Sequence, residues 1–327
     1  MTANNQYKEG IVKIEKEPII DPYGFREYDA RWFYPKNINL HGCYIVGKSI
    51  AHQLKEKKLN TLVIGHDYRS YSEKIKFSII QGLLEGGCDI VDVGLSISPM
   101  VYFGHYHFKT DAGIMVTASH NENGWTGLKI GANFPLTYGP EEMNELKEIA
   151  LKKNWKVRDL GSYKFVDNFD KEYKNQLTKK YKLTNKIKVV VSCGNGTASI
   201  FAPEILKAIG CEVVEQNCDL DYTFPNHNPN PENLEMLNSL SQKVIDTKSD
   251  IGFAFDGDGD RIGIVDEKGE AIFSDKVGLI IARYISEVKK DSKFIVDIKS
   301  TGLFAQDPIL RKNGAEVEYW ITGHSYM

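Results

Sequence analysis

The chain has 327 residues, of which 42% are hydrophobic and 26% charged, and its formal net charge is −3. This composition is typical of a globular protein with two or three domains, and the near-neutral balance argues against a basic surface for nucleic acid. No apolar run approaches the roughly 20 residues that a membrane helix needs, and the polar start MTANNQYKEG lacks the apolar stretch of a signal peptide. We therefore expect a cytoplasmic protein that binds neither nucleic acid nor membrane. The five cysteines include no C-x-x-C pair and predict reduced, structural thiols.

Strand-like and helix-like segments alternate from residue 60 onward. TLVIGHD predicts a buried strand, and SEKIKFSIIQGLLEGG predicts an amphipathic helix that ends at two glycines. CDIVDVG and AGIMV predict two further strands. This alternation favours a mostly parallel sheet covered by helices, in which functional loops gather at the carboxyl ends of the strands.

The same alternation recurs further along the chain. KIKVVVSCGNG, CEVVEQN and the two strands around an acidic loop in FAFDGDGDRIGIV predict a second unit. DKVGLIIARYI and SKFIVDIKS begin a third unit that has few residues for an α/β domain. The predicted fold class is therefore α/β, with successive α/β domains, mixed and mostly parallel sheets, and an incomplete third domain. We predict domain bounds of 1–165, 166–272 and 273–327.

The acidic segment DGDGDR predicts a metal site. Its carboxylates, Asp256, Asp258 and Asp260, alternate with glycines that let the loop curl until all three converge on one cation. Oxygen ligands of this kind suit Mg²⁺ or Ca²⁺. An EF-hand would need glycine where Arg261 stands and helices where strands are predicted, so we reject it. A solvated acidic turn is the alternative interpretation.

The segment TASHNENGWTGLKIG follows a predicted strand and places Ser119 at its carboxyl end. His120 and Asn121 lie beside that serine, and Lys129 follows in a glycine-rich stretch. A serine near a cation and a lysine can carry a phosphoryl group, because both positive charges stabilise the charge that develops during transfer. A helix N-cap serine is the plainer alternative, and a serine hydrolase would need a G-x-S-x-G turn that is missing here.

Two further segments are polar. YGFREYDAR supplies Arg26, Tyr28 and Arg31, whose guanidinium groups suit phosphate, although surface ion pairs would explain them equally. GHDYRSYS, which closes a predicted strand, supplies the polar residues His66, Asp67, Tyr68, Arg69 and Ser70 after Gly65. For this second segment we favour a structural role, either supporting the serine loop or capping the next helix.

Together these segments resemble the α-D-phosphohexomutase superfamily, which includes phosphomannomutases and phosphoglucomutases. FREYDAR resembles its N-terminal substrate-facing loop, TASHN its phosphoserine loop and DGDGDR its magnesium loop. CGNGTAS, NPNPENLE and DIKS with TGHS resemble later segments, in the same order along the chain. The resemblance implies a phosphoserine-loop domain, a metal-loop domain and a partial sugar-recognition domain.

The resemblance also implies a mechanism. Phosphate moves between C6 and C1 of a hexose through a phosphoserine and a hexose 1,6-bisphosphate, with mannose phosphates preferred over glucose phosphates. The implied catalytic residues are Ser119, Lys129 and Arg31, with Arg31 acting first through its charge. The implied Mg²⁺ ligands are Ser119, Asp256, Asp258 and Asp260. The implied substrate-binding residues are Tyr28, Arg26, His120, Asn121, Arg261 and His324.

The sequence departs from the family pattern in several places. Ile321 stands where some members have lysine, and Glu122 and Asn123 replace a proline-rich continuation of the serine loop. The family's G-E-x-S-G-H sugar loop and fourth domain are missing from these 327 residues, so we expect a truncated or split chain with weak turnover. Phosphoglucosamine mutase, a non-catalytic phosphosugar- or Mg²⁺-binding module, and a calcium-binding structural protein are the alternatives.

Overall fold

The computed structural model describes residues 15–133, 137–323 and 326. Over these residues the strands form three sheets, of six, five and two strands. The α/β fold class with mixed sheets is confirmed. The predicted domain bounds stay a prediction, although each sheet lies within one of the predicted domains.

The first sheet has the order β1-β5-β4-β2-β3-β6. Its strands are β1 (Ala30–Phe33), β2 (Thr61–His66), β3 (Asp89–Leu95), β4 (Ala112–Val116), β5 (Trp125–Ala132) and β6 (Tyr163–Phe165). β2, β3, β4 and β6 are parallel, whereas β5 is antiparallel to both β4 and β1. The β4–β5 hairpin pairs Met115 with Lys129, so Lys129 returns to the end of the sheet at which the serine loop leaves β4.

Helices cover both faces of this sheet. They are α1 (Leu40–Glu56), α2 (Ser72–Glu85), α3 (Ser98–Phe108), α4 (Pro140–Lys152) and α5 (Phe169–Lys180). Leu62 and Ile64 of β2 pack with Val46 and Ile79 on one face, while Val63 belongs to the core on the other. Because both faces are buried, the strand is apolar at consecutive positions.

The second sheet has the order β11-β10-β9-β7-β8. Its strands are β7 (Lys188–Ser192), β8 (Glu212–Gln216), β9 (Ile251–Phe255), β10 (Ile262–Asp266) and β11 (Ala271–Ile272). It is accompanied by α6 (Ala202–Ile209) and α7 (Leu234–Thr247). β9 and β10 form an antiparallel hairpin around the acidic loop, which confirms that strands, and not EF-hand helices, flank DGDGDR.

The third sheet pairs β12 (Lys293–Asp297) in parallel with β13 (Glu316–Trp320). Helices α8 (Ser274–Val288), α9 (Leu303–Gln306) and α10 (Pro308–Lys312) pack beside it around Leu279 and Val296. Among the described residues, no helix is both long and apolar enough to cross a membrane.

Candidate active site

Two loops from different sheets are in contact. The serine loop (residues 117–124) leaves β4, and the metal loop (residues 256–261) joins β9 to β10. The Ser119 hydroxyl donates a hydrogen bond to Asp256 Oδ2 at 2.7 Å. A Cβ atom on Gly257 would lie 2.6 Å from the carbonyl oxygen of Ser119, so only glycine permits this approach of the two backbones.

The metal loop forms a three-carboxylate cluster. Asp256 Oδ1 accepts hydrogen bonds from the backbone N–H groups of Asp260 and Arg261, both at 3.0 Å, and these bonds curl the loop. One oxygen each of Asp256, Asp258 and Asp260 lies within 4.8 Å of the others. Asp258 Oδ1 is buried and has no hydrogen-bond partner among the residues described. An unpaired buried oxygen within an all-oxygen cluster fits Mg²⁺, which prefers carboxylate ligands.

Lys129 supplies positive charge to this cluster. Its Nζ lies 2.6 Å from Asp258 Oδ2, also contacts Asp260, and is itself largely buried. Ser98, at the start of α3, donates a further hydrogen bond of 2.5 Å to the same Asp258 oxygen. Burial opposes the charged form of Lys129, but the two carboxylates outweigh it and raise the pKa of the ammonium group above its ordinary value.

The two buried aspartates of the metal loop have opposite protonation tendencies. Burial, together with the charges of Asp258 and Asp260, raises the pKa of Asp256 well above its usual range. Burial also acts on Asp258, but there the Lys129 ammonium and the hydrogen bonds from Lys129 and Ser98 dominate and lower the pKa. Asp258 is therefore ionised, whereas Asp256 would ionise when a further cation binds to the cluster.

The backbone of the serine loop is held by groups distant in sequence. The buried Arg69 donates from NH1 to the carbonyl oxygen of Glu122 at 2.9 Å, and from NH2 to those of Ser119 at 3.2 Å and Asn121 at 2.5 Å. Asp67 accepts the N–H group of Ala118 at 3.3 Å and pairs with Arg69 at 3.4 Å. These contacts hold Ser119 at a φ of 53°, which few residues other than glycine adopt.

Arg31 ties the N-terminal segment to the serine loop. Its NH1 group donates to the carbonyl oxygen of Thr117 at 2.9 Å, and its NH2 group lies 3.0 Å from Asp29. Arg31 is buried, and its position opposite Gly127 in the β1–β5 pair places it beside the loop. The guanidinium group is therefore fixed in orientation before any substrate binds.

His120 follows the candidate nucleophile and lies close to it. Its Nδ1 atom is 3.4 Å from Ser119 Oγ, and its backbone carbonyl accepts a 2.5 Å hydrogen bond from Asn228. Burial, followed by the charges of Arg261 and Arg31, lowers the pKa of the His120 imidazole to about 4. The ring is therefore neutral near pH 7.

These groups open onto one cleft of about 940 Å³. Nearly all of the predicted site residues line its wall, namely Arg26, Tyr28, Arg31, Ser119, His120, Asn121, Lys129, Asp260 and Arg261. Asp256 and Asp258 lie beneath it and are fully buried. Arg261 points toward Glu232, with which it forms a 3.0 Å ion pair. The predicted substrate-binding residue His324 lies outside the described residues.

Sequence reasoning missed several residues that shape the site. Ser98 and Asn228 were not singled out, although Asn228 belongs to the proline- and asparagine-rich segment NPNPENLE. Tyr102, which lines the cleft from α3, was missed as well. The structural role favoured for Asp67 and Arg69 matches their contacts with the serine loop. Their position after β2 was the sequence signal for this role. Neighbouring parallel strands have their carboxyl ends at the same edge of the sheet, so residues that follow β2 lie near the loop that follows β4.

Family comparisons agree with this geometry. The profile described as phosphoglucomutase/phosphomannomutase, alpha/beta/alpha domain I matches residues 23–156, and that described as domain II matches residues 164–269. A Burkholderia thailandensis phosphoglucomutase/phosphomannomutase family protein of known structure is 30% identical, with a TM-score of 0.88. The match covers 94% of this chain and 68% of that one. The fold and the paired loops thus define a member of the α-D-phosphohexomutase superfamily.

Within that superfamily, the chain belongs to the phosphoglucomutase/phosphomannomutase family. It is 35% identical over 305 residues to a Pseudomonas putida phosphomannomutase/phosphoglucomutase, a match that covers 92% of this chain and 64% of that protein. A Neisseria meningitidis phosphoglucomutase is 32% identical over 303 residues, with 93% and 65% covered. The chain thus spans a little under two thirds of the length of these relatives.

Proposed function

We propose that this chain provides the phosphoryl-transfer site of a phosphohexomutase, which moves phosphate between C6 and C1 of a hexose. The observation that supports this most directly is the 2.7 Å hydrogen bond between Ser119 and Asp256, inside a cluster that also contains Lys129. A hydroxyl at a carboxylate cluster and a lysine combine a phosphoryl acceptor with groups that stabilise transferring charge. The names of the relatives favour mannose and glucose phosphates as substrates.

Asp256, Asp258 and Asp260, with an oxygen of phosphorylated Ser119, are the proposed Mg²⁺ ligands. When bound, the ion would neutralise charge on the phosphoryl oxygens. The unpaired Asp258 Oδ1 and the burial of that carboxylate support this assignment.

In the proposed transfer, the bond between phosphorus and Ser119 Oγ breaks as a sugar hydroxyl forms a new bond to phosphorus. Lys129 stays protonated, because its carboxylate partners raise its pKa, and its role is to stabilise charge. The neutral His120 imidazole beside Ser119 is suited to accept the proton that the sugar hydroxyl loses and to pass it to the departing Ser119 oxygen. Arg31, already fixed by Thr117 and Asp29, adds charge at the cleft wall.

Arg26, Tyr28, Asn121 and Arg261 are the proposed contacts of the sugar phosphate. They line the wall of the cleft. An intermediate that carries two phosphates must rotate in the cleft before its second phosphate can be transferred to Ser119. A wide cleft with cationic groups on its wall suits such a rotation, since each phosphate end meets positive charge.

The test is phosphoryl loading of the purified chain. We would incubate it with Mg²⁺ and glucose 1,6-bisphosphate and locate phosphate by peptide mass spectrometry. The proposal predicts one phosphoryl group on the peptide that contains Ser119, and none in Ser119→Ala or Asp258→Asn. Glu267→Gln, which changes an exposed carboxylate at the far end of β10, should load like the wild type. Mg²⁺ binding without any loading of Ser119 would instead identify a metal- and phosphosugar-binding module.

A further inference from the structure

Two cysteine side chains lie together behind the metal loop. Cys193 directly follows β7, Cys218 lies two residues beyond β8, and these strands run in parallel with Ser192 opposite Gln216. Both side chains pack in one apolar cluster, and each thiol affects the pKa of the other. Cys218 Sγ also lies 3.3 Å from the carbonyl oxygen of Val191. Adjacent strands thus hold the two side chains in one cluster, whereas the sequence predicted reduced, structural thiols.

We propose that Cys193 and Cys218 form a redox-active dithiol that a peroxide converts into a disulfide. The two thiols are unequal in a way that suits this chemistry. Cys193 is fully buried, while Cys218 is partly exposed to solvent. Because the two side chains pack in one cluster at the ends of neighbouring strands, their sulfurs can approach to the bonding distance of about 2.05 Å.

The proposed reaction begins at Cys218. Interaction with the Cys193 thiol is the main cause that lowers the pKa of Cys218, which favours the nucleophilic thiolate. That thiolate attacks one peroxide oxygen, the O–O bond breaks, and the departing hydroxide takes up the proton released from the thiol, which leaves a sulfenic acid and one water. Burial raises the pKa of Cys193, so this thiol stays protonated and unreactive until the sulfenic acid forms beside it.

Cys193 then completes the oxidation. Its sulfur attacks the Cys218 sulfur, its proton passes to the departing hydroxide, and a second water leaves as the disulfide forms. The two thiols together lose two electrons and two protons, and the peroxide is reduced to two waters. A dithiol reductant reverses the change by exchange.

The disulfide would form close to both loops of the candidate site. The carbonyl oxygen of Asn217, next to Cys218, accepts the N–H of Asn195 at 2.7 Å, and the N–H of Thr197 donates to the carbonyl oxygen of Gly257 at 3.0 Å. On the other side, the Asn217 amide contacts His227 at 3.2 Å, in the segment whose next residue, Asn228, binds the serine loop. Oxidation of this pair would therefore move residues that contact the metal loop and residues that contact the serine loop.

The test is non-reducing peptide mapping of the intact folded chain after brief treatment with hydrogen peroxide. Cleavage after lysine and glutamate separates the relevant cysteines, because Lys207, Glu212 and Glu215 lie between them. We expect a linked pair of peptides containing Cys193 and Cys218, lighter than their sum by the mass of two hydrogens, and restored by dithiothreitol. Two results would overturn the proposal. One is Cys218 oxidised beyond the sulfenic acid while Cys193 stays reduced, and the other is a disulfide that involves Cys211.

Matched variants separate chemistry from folding. Cys211 lies between the two positions in sequence and is also partly exposed, but burial raises the pKa of its thiol. Cys211→Ser should therefore form the disulfide as the wild type does, while Cys218→Ser should form none. Cys193→Ala, checked for folding by circular dichroism, should leave a sulfenic acid on Cys218 that dimedone traps. Absence of that adduct in folded Cys193→Ala would contradict the proposed order of steps.

Discussion

The backbone carbonyl groups of the serine loop are bound by side chains from elsewhere in the chain, whereas the curl of the metal loop is set by a side chain of its own. Arg69 binds three carbonyl oxygens of the serine loop, and Arg31 binds a fourth. In the metal loop, Asp256 binds the N–H groups of Asp260 and Arg261. The residues that curl the metal loop therefore lie within one short sequence motif. The residues that hold the serine loop are distant in sequence, and no local motif contains them.

Removing the external support should produce the largest effect. In Arg69→Met, three carbonyl oxygens lose their charged donor, and the guanidinium group also leaves the Phe224 ring over which it lies. Misplacing a reacting group costs about 10²-fold in rate. We therefore expect Ser119 loading from glucose 1,6-bisphosphate to slow by about that factor, while Mg²⁺ affinity measured by calorimetry stays near the wild-type value.

The control for this variant is Lys74→Met, which removes an exposed positive charge from the nearby α2 helix. It should load at the wild-type rate. If Arg69→Met weakened Mg²⁺ binding as much as it slowed loading, the two loops would not have separate supports.

A change inside the metal loop should show the reverse pattern. Asp256→Asn keeps an oxygen that can accept both loop N–H groups but removes one negative charge from the cluster. Because Mg²⁺ affinity depends on ligand charge, we expect it to fall about tenfold or more by calorimetry. Hydrogen exchange of the serine-loop amides should stay unchanged, and faster exchange there would show that the serine loop depends on this carboxylate for its shape.

The contact between the two loops can be broken at one position. In Gly257→Ala, the new methyl group would lie 2.6 Å from the Ser119 carbonyl oxygen, so the backbones must separate. Overpacking of this kind costs about 1–3 kcal/mol in unfolding free energy, which denaturant titration would measure. Gly302→Ala is the matched control, since a Cβ atom there meets nothing within 4 Å. Equal stability of the two variants would contradict the close approach of the loops.

The smallest expected effect is a pKa shift. The His120 imidazole has a pKa of about 4, because burial and the charges of Arg261 and Arg31 disfavour its protonated form. Phosphate on Ser119 would favour that form, so loading should raise the pKa by about one unit or more. NMR titration of the imidazole before and after loading would measure the shift, with Ser119→Ala as the control. An unchanged pKa would place the phosphoryl group away from His120.

The sequence predicted the motifs and strands of this site better than it predicted their supports. β2, β4, the β9–β10 hairpin and the convergence of Asp256, Asp258 and Asp260 follow from local pattern, since strand periodicity and alternating aspartates are short-range signals. The contacts of Arg69 with the serine loop and of Asn228 with His120 span 50 to 53 and 108 residues, and only the folded sheets bring them together. The pairing of Cys193 with Cys218 was missed for the same reason. Roles of the individual site residues stay predictions.

The most direct test of the account is a single-turnover experiment with the chain already phosphorylated on Ser119. Mannose 1-phosphate would be added in the presence of Mg²⁺, and intact protein mass and sugar products would be followed together. The account predicts that the chain loses the mass of one phosphoryl group as a hexose 1,6-bisphosphate appears, and that chelation of Mg²⁺ prevents both changes. Phosphate that stays on Ser119 at saturating sugar phosphate, or that leaves only as inorganic phosphate, would contradict the proposed transfer.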